Sequence, residues 1–101
     1  MPRKCKITFA VSAIEDLESI RAWYVGQQVP EVGERLLREV ISCVERLAEF
    51  PKSGRIVPEF GVPHLREIIH PPFRIVYRID EGRARVVRVW RSERLLKMPQ
   101  D

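Results

Sequence analysis

The sequence is poor in cysteine and has no long uninterrupted hydrophobic segment. Its two cysteines, Cys5 and Cys43, belong to no C-x-x-C pair, so we expect free thiols and neither a disulfide framework nor a metal site. Every apolar run is far shorter than the roughly 20 residues that cross a bilayer. The opening residues MPRKCKITF contain no hydrophobic signal region. These absences predict a cytoplasmic protein that uses no membrane, metal or other cofactor.

The composition is that of a folded globular protein. Hydrophobic residues make up 45% of the sequence and charged residues 32%, which excludes a disordered or fibrous chain. A length of 101 residues suits one small hydrophobic core. We therefore expect one domain over residues 1–101.

Positive charge is concentrated in the second half of the chain. Residues 1–50 hold 7 basic and 8 acidic side chains, whereas residues 51–101 hold 11 basic and 6 acidic ones. Of the 18 basic residues 14 are Arg, whose planar guanidinium binds carboxylates and phosphates with two parallel hydrogen bonds. This excess predicts an acidic partner, either a polymer or a protein.

Periodicity predicts a strand followed by a helix at the start of the chain. Apolar and polar residues alternate over residues 5–11, as in a half-buried strand. Apolar residues then recur at helical spacing, and Ser12 and Glu15 match a capping box. A first helix is therefore expected over residues 13–25.

A second helix is predicted to begin at Pro30, because proline suits the first turn of a helix and acidic residues follow it. Its apolar stripe continues until Pro51. The linker GQQVP is short, so the two helices should form an antiparallel hairpin. The next segment, KSGRIVPEFGVP, has two Gly and two Pro, which favour an ordered loop.

Three strands are predicted in the rest of the chain, at residues 64–70, 73–80 and 83–91. The turn sequence Asp80-Glu81-Gly82 indicates a hairpin between the last two. The expected fold class is α+β, with the order β-α-α-β-β-β. An N-terminal strand and a two-helix antiparallel hairpin would pack with a small antiparallel sheet.

The strand over residues 73–80 carries arginines between apolar residues. Its odd-numbered residues, from Phe73 to Ile79, are aromatic or aliphatic and should face the helices. Arg74 and Arg78 would then lie on the open face of the sheet. Arg66 of the preceding strand would join them if the strand register allows it. The sequence therefore predicts an exposed cationic sheet face.

Six segments resemble the ParE/RelE superfamily of toxins from type II toxin-antitoxin modules. They are AIEDLESIRAWY, LAEFP, SGRIVPEFG, LREI, FRIVYRI and VVRVWR, and the resemblance covers roughly residues 4–95. It implies a toxin that is neutralised by a cognate antitoxin. An extended, helical and acidic antitoxin segment would wrap across the toxin.

The superfamily contains two activities. RelE-like members are ribosome-dependent endoribonucleases that cut mRNA, and they resemble one another in using a C-terminal Tyr or a His-Tyr pair. ParE-like members inhibit DNA gyrase. No Tyr or His follows Tyr77 in this sequence, and Arg91 stands after Val-Trp, where many relatives carry His. Arginine is permanently charged and cannot ordinarily exchange protons near neutral pH.

The remaining candidates for proton transfer are His64, His70, Glu59, Glu67 and Tyr77. Tyr77 is predicted to face the core, and both histidines lie at loop ends. These observations favour a gyrase inhibitor that acts by binding. The alternatives are a ribosome-dependent mRNA endoribonuclease and an inactive relative that only binds its antitoxin.

Candidate interaction residues follow from the cationic face and from the end of the chain. Two tryptophans, Trp23 and Trp90, and the pair Leu95 and Leu96 are possible apolar anchors for a partner. The target-binding candidates are Arg66, Arg74, Arg78, Arg91 and Arg94, and the antitoxin-binding candidates are Arg85, Trp90, Leu95 and Leu96.

Overall fold

A computed structural model describes residues 4–91 of the chain. The order of its elements confirms the predicted strand, helix pair and C-terminal strands. The elements are β1 (Lys6–Phe9), α1 (Val11–Gly26), α2 (Pro30–Glu45), a 3₁₀ turn (Arg46–Ala48), β2 (Arg55–Ile56), β3 (Leu65–His70), β4 (Phe73–Asp80) and β5 (Arg83–Arg91).

The five strands form a single sheet in the order β1-β5-β4-β3-β2. Strands β2 to β5 are antiparallel neighbours, whereas β1 pairs in parallel with β5. The sheet is therefore mixed. The parallel strands β1 and β5 are joined by the long connection that such a pair requires, and this connection contains the helical hairpin. The α+β class is confirmed.

The core lies between the two helices and one face of the sheet, which we call the helix face. Phe73, Ile75 and Tyr77 of β4 are fully buried there, together with Val40 of α2 and Leu47. The alternation in β4 thus places its aromatic and aliphatic residues as predicted. The opposite side is called the open face.

The first helix begins earlier than predicted and lacks the expected cap. Ala10 is the N-cap residue, and no side chain caps the helix. The Ser12 hydroxyl instead donates to the Val87 carbonyl oxygen at 2.7 Å. The capping-box prediction is wrong because Ser12 finds its acceptor on the neighbouring strand, which ties α1 to β5.

The loop after the helices contains the short strand β2, which the sequence did not predict. Tyr77 holds this loop from inside the core: its hydroxyl donates to the Pro51 carbonyl at 2.7 Å and accepts from the Gly54 amide at 3.0 Å. Burial raises the pKa of Tyr77. Tyr77 is therefore a packed ring with its hydroxyl satisfied.

Two turns fix the register of the antiparallel strands. Pro71 and Pro72 form a two-residue connection that pairs His70 with Phe73. The β4–β5 hairpin pairs Asp80 with Arg83, and Gly82 adopts a φ of 70°, a left-handed conformation that favours glycine. No helix within residues 4–91 is long and apolar enough to span a membrane.

Candidate binding surface on the open sheet face

One end of the open face is an ion-paired cluster. Glu67 of β3 is only 1% exposed, and its carboxylate accepts hydrogen bonds from Arg74 and from Arg55, the latter at 2.6 Å. The second nitrogen of Arg74 donates to Glu59 at 2.5 Å. The buried Glu67 carboxylate is therefore compensated by two guanidinium groups.

Arg74 was expected to be exposed, and that prediction is wrong. The residue is 8% exposed, because Glu67 lies beside it on the neighbouring strand and the loop carrying Glu59 reaches across it. Hydrogen bonding to Glu59 raises the pKa of Arg74, and the same bond lowers the pKa of Glu59. Arg74 is thus a structural cation at this end of the sheet.

Arg66 does not lie on the same face as Arg74 and Arg78. It is paired with Tyr77, and directly opposed residues share a face, so Arg66 is on the helix-face side at the end of the sheet. Its guanidinium donates to the carbonyl oxygens of Pro63 and Gly54 at 2.9 and 3.1 Å. Arg66 therefore braces loop backbone.

The other end of the open face is basic and largely exposed. Arg78 of β4 is directly opposite Arg85 of β5. Arg83 is paired with Lys6 of β1, two residues further along the same face. We name Lys6, Arg78, Arg83 and Arg85 the basic cluster.

Asp80 lies among these cations, because it is paired with Arg83 on β5. Arg78 contacts Asp80 at 3.4 Å, and both side chains are nearly half exposed, so solvent weakens this ion pair. Arg85 donates to the Thr8 hydroxyl at 3.3 Å. Like charges directly opposite on adjacent strands are destabilising. The cluster is thus suited to binding an acidic group, such as a phosphate or a carboxylate.

The last part of β5 mixes cations with aromatic rings. The guanidinium of Arg88 lies 4.5 Å from the centre of the Trp90 ring and donates to Asp16 at 2.8 and 3.0 Å. This hydrogen bonding raises the pKa of Arg88. Trp90 is half-buried and is paired with Arg74, so it lies on the open face.

Arg91 belongs to the helix face, because its strand partner is Phe73. Its guanidinium donates to the Tyr24 hydroxyl at 2.9 Å and stacks 4.7 Å from the centre of the Trp23 ring. Arg91 is therefore separated from the basic cluster by the sheet. The remaining candidates, Arg94, Leu95 and Leu96, lie outside the described residues.

The candidate acids and bases are not gathered at the basic cluster. Glu59 and Glu67 are in the ion-paired cluster, and His70 contacts Glu39 and Cys43 of α2. The backbone carbonyl of His64 accepts a hydrogen bond from the Ile79 amide at 2.8 Å, which places His64 opposite Ile79. Because Ile79 belongs to the helix face, His64 is not on the same face as the basic cluster.

Two members of the basic cluster, Lys6 and Arg83, were not among the predicted site residues. Lys6 alternates with Ile7 in the sequence, so its exposure was readable from β1 alone. Its position beside Arg83 depends on the parallel pairing of β1 with β5. No local signal specifies that pairing, because it joins the two ends of the chain.

Comparison with known proteins shows which family shares this fold. A family model described as the ParE toxin of the type II toxin-antitoxin system, parDE, matches residues 7–96. The chain therefore belongs to this family, within the ParE/RelE superfamily.

Known relatives agree with this assignment. Toxin RelE2 of Caulobacter vibrioides is 31% identical over 91 residues, which cover 89% of this chain and 98% of that protein. The chromosomal ParDE toxin-antitoxin system from P. aeruginosa matches with a TM-score of 0.73 and 22% identity, over 87% of this chain and 96% of that chain. The RelBE2 toxin-antitoxin complex of Mycobacterium tuberculosis gives a TM-score of 0.65 and 18% identity, over 87% and 98% respectively. These two structures share the fold.

Proposed function

We propose that this toxin inhibits DNA gyrase by binding through the basic cluster, without catalysing a reaction of its own. The observation that carries the proposal is the pairing of Arg78 with Arg85 on the open face. Two permanently charged side chains held opposite each other oppose folding slightly. Such an arrangement is suited to a partner that supplies negative charge.

The chemistry near the cluster favours binding over RNA cleavage. Cleavage by a 2′-hydroxyl needs a base, an acid and cations that stabilise the phosphorane. The basic cluster supplies the cations. No Tyr or His occurs in residues 78–101, and the Tyr77 hydroxyl is buried between backbone groups of the loop. RelE-like nucleases, by contrast, resemble one another in using a C-terminal Tyr or a His-Tyr pair.

A ribosome-dependent mRNA endoribonuclease is the second candidate. It is supported by the 31% identity to a relative named Toxin RelE2. The same cations would then hold the mRNA phosphates, and a different group would have to move the protons. The two functions make opposite predictions for purified components.

We further propose that an acidic antitoxin neutralises the toxin. The similar P. aeruginosa and M. tuberculosis structures are toxin-antitoxin systems, which supports such a partner here. Arg85 and Trp90 on the open face are candidate contacts, together with Leu95 and Leu96. Occupation of Arg85 would cover the basic cluster and so prevent target binding.

The experiment compares both targets in parallel. Purified toxin is incubated with gyrase and relaxed plasmid in one arm, and with translating ribosomes and a reporter mRNA in the other. Loss of supercoiling or accumulation of cleaved DNA, with intact mRNA, supports gyrase inhibition. Cuts in the mRNA that depend on translation, with normal supercoiling, would overturn it in favour of the endoribonuclease. No effect in either arm would favour a relative that only binds its antitoxin.

A further inference from the structure

A second group of reactive side chains lies on the other side of the molecule from the basic cluster, between α2 and the end of β3. The Cys43 thiol is 3.5 Å from Nδ1 of His70, and Nε2 of the same ring is 2.9 Å from a carboxylate oxygen of Glu39. A thiol, an imidazole and a carboxylate therefore form one continuous hydrogen-bonded chain.

The order of the three groups specifies which ring nitrogen of His70 donates a proton to Glu39. Hydrogen bonding from His70 lowers the pKa of Glu39, which keeps Glu39 a carboxylate that can only accept. The Nε2 atom of His70 must then carry the proton that it donates to Glu39, and in the neutral form of that ring Nδ1 has its lone pair facing the Cys43 thiol. Glu39 therefore positions His70 as a base for Cys43.

These three residues line an open cleft of about 500 Å³ together with basic side chains. The basic residues are Arg35 and Arg38 of α2 and Arg46 at the start of the 3₁₀ turn. Arg35 is paired with Glu39 at 3.0 Å. Arg38 and Arg46 make no ion pair within residues 4–91. The cleft thus combines a thiol with two uncompensated positive charges.

The cleft lacks the geometry of a metal site. Cys43 and Glu39 contact opposite nitrogens of His70, so the three groups do not converge on a common centre. Accordingly, no group of three or more potential metal ligands is found within the described part of the chain.

We propose that Cys43 is a site of reversible S-thiolation by an anionic low-molecular-weight disulfide. The arginines of the cleft bind this disulfide, and His70 activates the Cys43 thiol to attack it. This inference is independent of the proposed action on gyrase. It assigns a modification site to residues that the basic cluster does not use.

The reaction is a thiol–disulfide exchange. His70 Nδ1 takes the proton of the Cys43 thiol, and the sulfur attacks one sulfur of the incoming disulfide. A new S–S bond joins Cys43 to half of the reagent. The other half leaves as a thiolate, which takes a proton from His70. The disulfide is the oxidant, so no further reactant is needed, and excess thiol reverses the step.

Cys5 provides an internal control in the same chain. It is more exposed than Cys43, which is 5% exposed, and its thiol donates to the Lys6 carbonyl at 3.9 Å rather than contacting an imidazole. Desolvation raises the pKa of Cys5, which reduces its thiolate fraction. Exposure alone would make Cys5 react first, whereas the proposed activation makes Cys43 react first.

The first experiment treats the folded protein with glutathione disulfide and follows each cysteine by peptide mass spectrometry. We expect Cys43 to be modified faster than Cys5. His70→Gln should slow the modification of Cys43 by about tenfold or more, since general base catalysis typically contributes at least that factor. The same variant should leave the rate of Cys5 modification unchanged. A variant that merely loosened the fold would instead accelerate both cysteines.

The second experiment tests the arginines through the charge of the reagent. Wild-type Cys43 should react faster with glutathione disulfide, which is anionic, than with cystamine, which is cationic. Arg38→Gln/Arg46→Gln should reduce that preference, because two uncompensated charges are removed. Arg78→Gln/Arg85→Gln, on the other side of the molecule, is the matched control with the same change in net charge and should keep the preference.

Three results would overturn the proposal. They are faster modification of Cys5 than of Cys43 in the folded protein, an unchanged Cys43 rate in His70→Gln, and equal reactivity of wild-type Cys43 towards the two disulfides.

Discussion

Arg78 and Arg85 lie directly opposite each other on β4 and β5, at the exposed end of the open sheet face. Both strands bury their helix-face residues in the core, so the sheet fixes the backbone positions of the two arginines. Within residues 4–91 the Arg78 guanidinium is paired with the exposed Asp80 alone, and the Arg85 guanidinium donates to Thr8. The sheet therefore holds the backbones of two cationic residues opposite each other, where one acidic partner can contact both side chains.

Removing these two charges should not destabilise the protein. In Arg78→Gln/Arg85→Gln the like-charge opposition disappears along with one exposed ion pair and one hydrogen bond. We expect the free energy of unfolding to stay within about 1 kcal/mol of wild type, because each of these effects is small. Urea denaturation measures this directly. A loss of several kcal/mol would show that the pair supports the fold.

Arg74→Ala should behave in the opposite way, although Arg74 is on the same strand and face. It would leave the buried Glu67 carboxylate with only the exposed Arg55 as a partner. Removing one member of a buried ion pair costs about 3–5 kcal/mol. By urea denaturation we expect the free energy of unfolding to fall by about 3 kcal/mol in Arg74→Ala. In Arg78→Ala it should fall by less than about 1 kcal/mol. Equal losses would contradict the buried role of Arg74.

Acid should weaken the ion-paired cluster through Glu59. Its pKa in the folded protein is below the unfolded value of about 4.3, so its contribution is full above that pH and is lost as the pH falls through the folded pKa. Since Glu59 is more than half exposed, the contribution should be less than about 1 kcal/mol.

The comparison is unfolding of wild type and Glu59→Gln at about pH 7 and about pH 3. The variant should be less stable than wild type at neutral pH, and the difference should shrink in acid. A difference that persists or grows in acid would contradict this assignment.

Close helix packing at Gly33 gives a further test of the fold. A Cβ atom added there would lie 2.7 Å from the Cβ atom of Tyr24 on α1, whereas one added at Gly26 would meet nothing within 4 Å. Gly33→Ala should therefore destabilise the protein by about 1–3 kcal/mol through overpacking. Gly26→Ala should be neutral or slightly stabilising. The melting temperature of Gly33→Ala should fall, whereas that of Gly26→Ala should stay unchanged or rise slightly. A Gly33→Ala variant as stable as wild type would show that the helices can separate at this point.

Most of the fold could be predicted because most helices and strands carry their own periodic pattern of apolar residues. The alternation in β4 correctly assigned Phe73, Ile75 and Tyr77 to the core. The helical spacing of α1 correctly indicated a helix, although the start was two residues late because Ser12 bonds to β5. Such side-chain bonds over long sequence separations leave no local pattern.

The candidate site was less predictable because it depends on register and on a loop. A two-residue turn pairs His70 with Phe73, so even-numbered residues of β3 oppose odd-numbered residues of β4. This places Glu67 rather than Arg66 beside Arg74. The additional coverage of Arg74 by Glu59 depends on the path of an irregular loop, which strand periodicity does not describe.

Inhibition of supercoiling tests most directly whether the basic cluster binds gyrase. Wild-type toxin, Arg78→Gln/Arg85→Gln and Arg21→Gln/Arg35→Gln are titrated against gyrase and relaxed plasmid. The last variant makes the same change in net charge at exposed helix residues. Inhibition by wild type and by the helix variant, with a loss of about tenfold or more in the cluster variant, would match the roughly 1.4 kcal/mol or more that such a charged contact provides. Equal inhibition by all three proteins, or no inhibition by wild type, would contradict the binding of gyrase through the basic cluster.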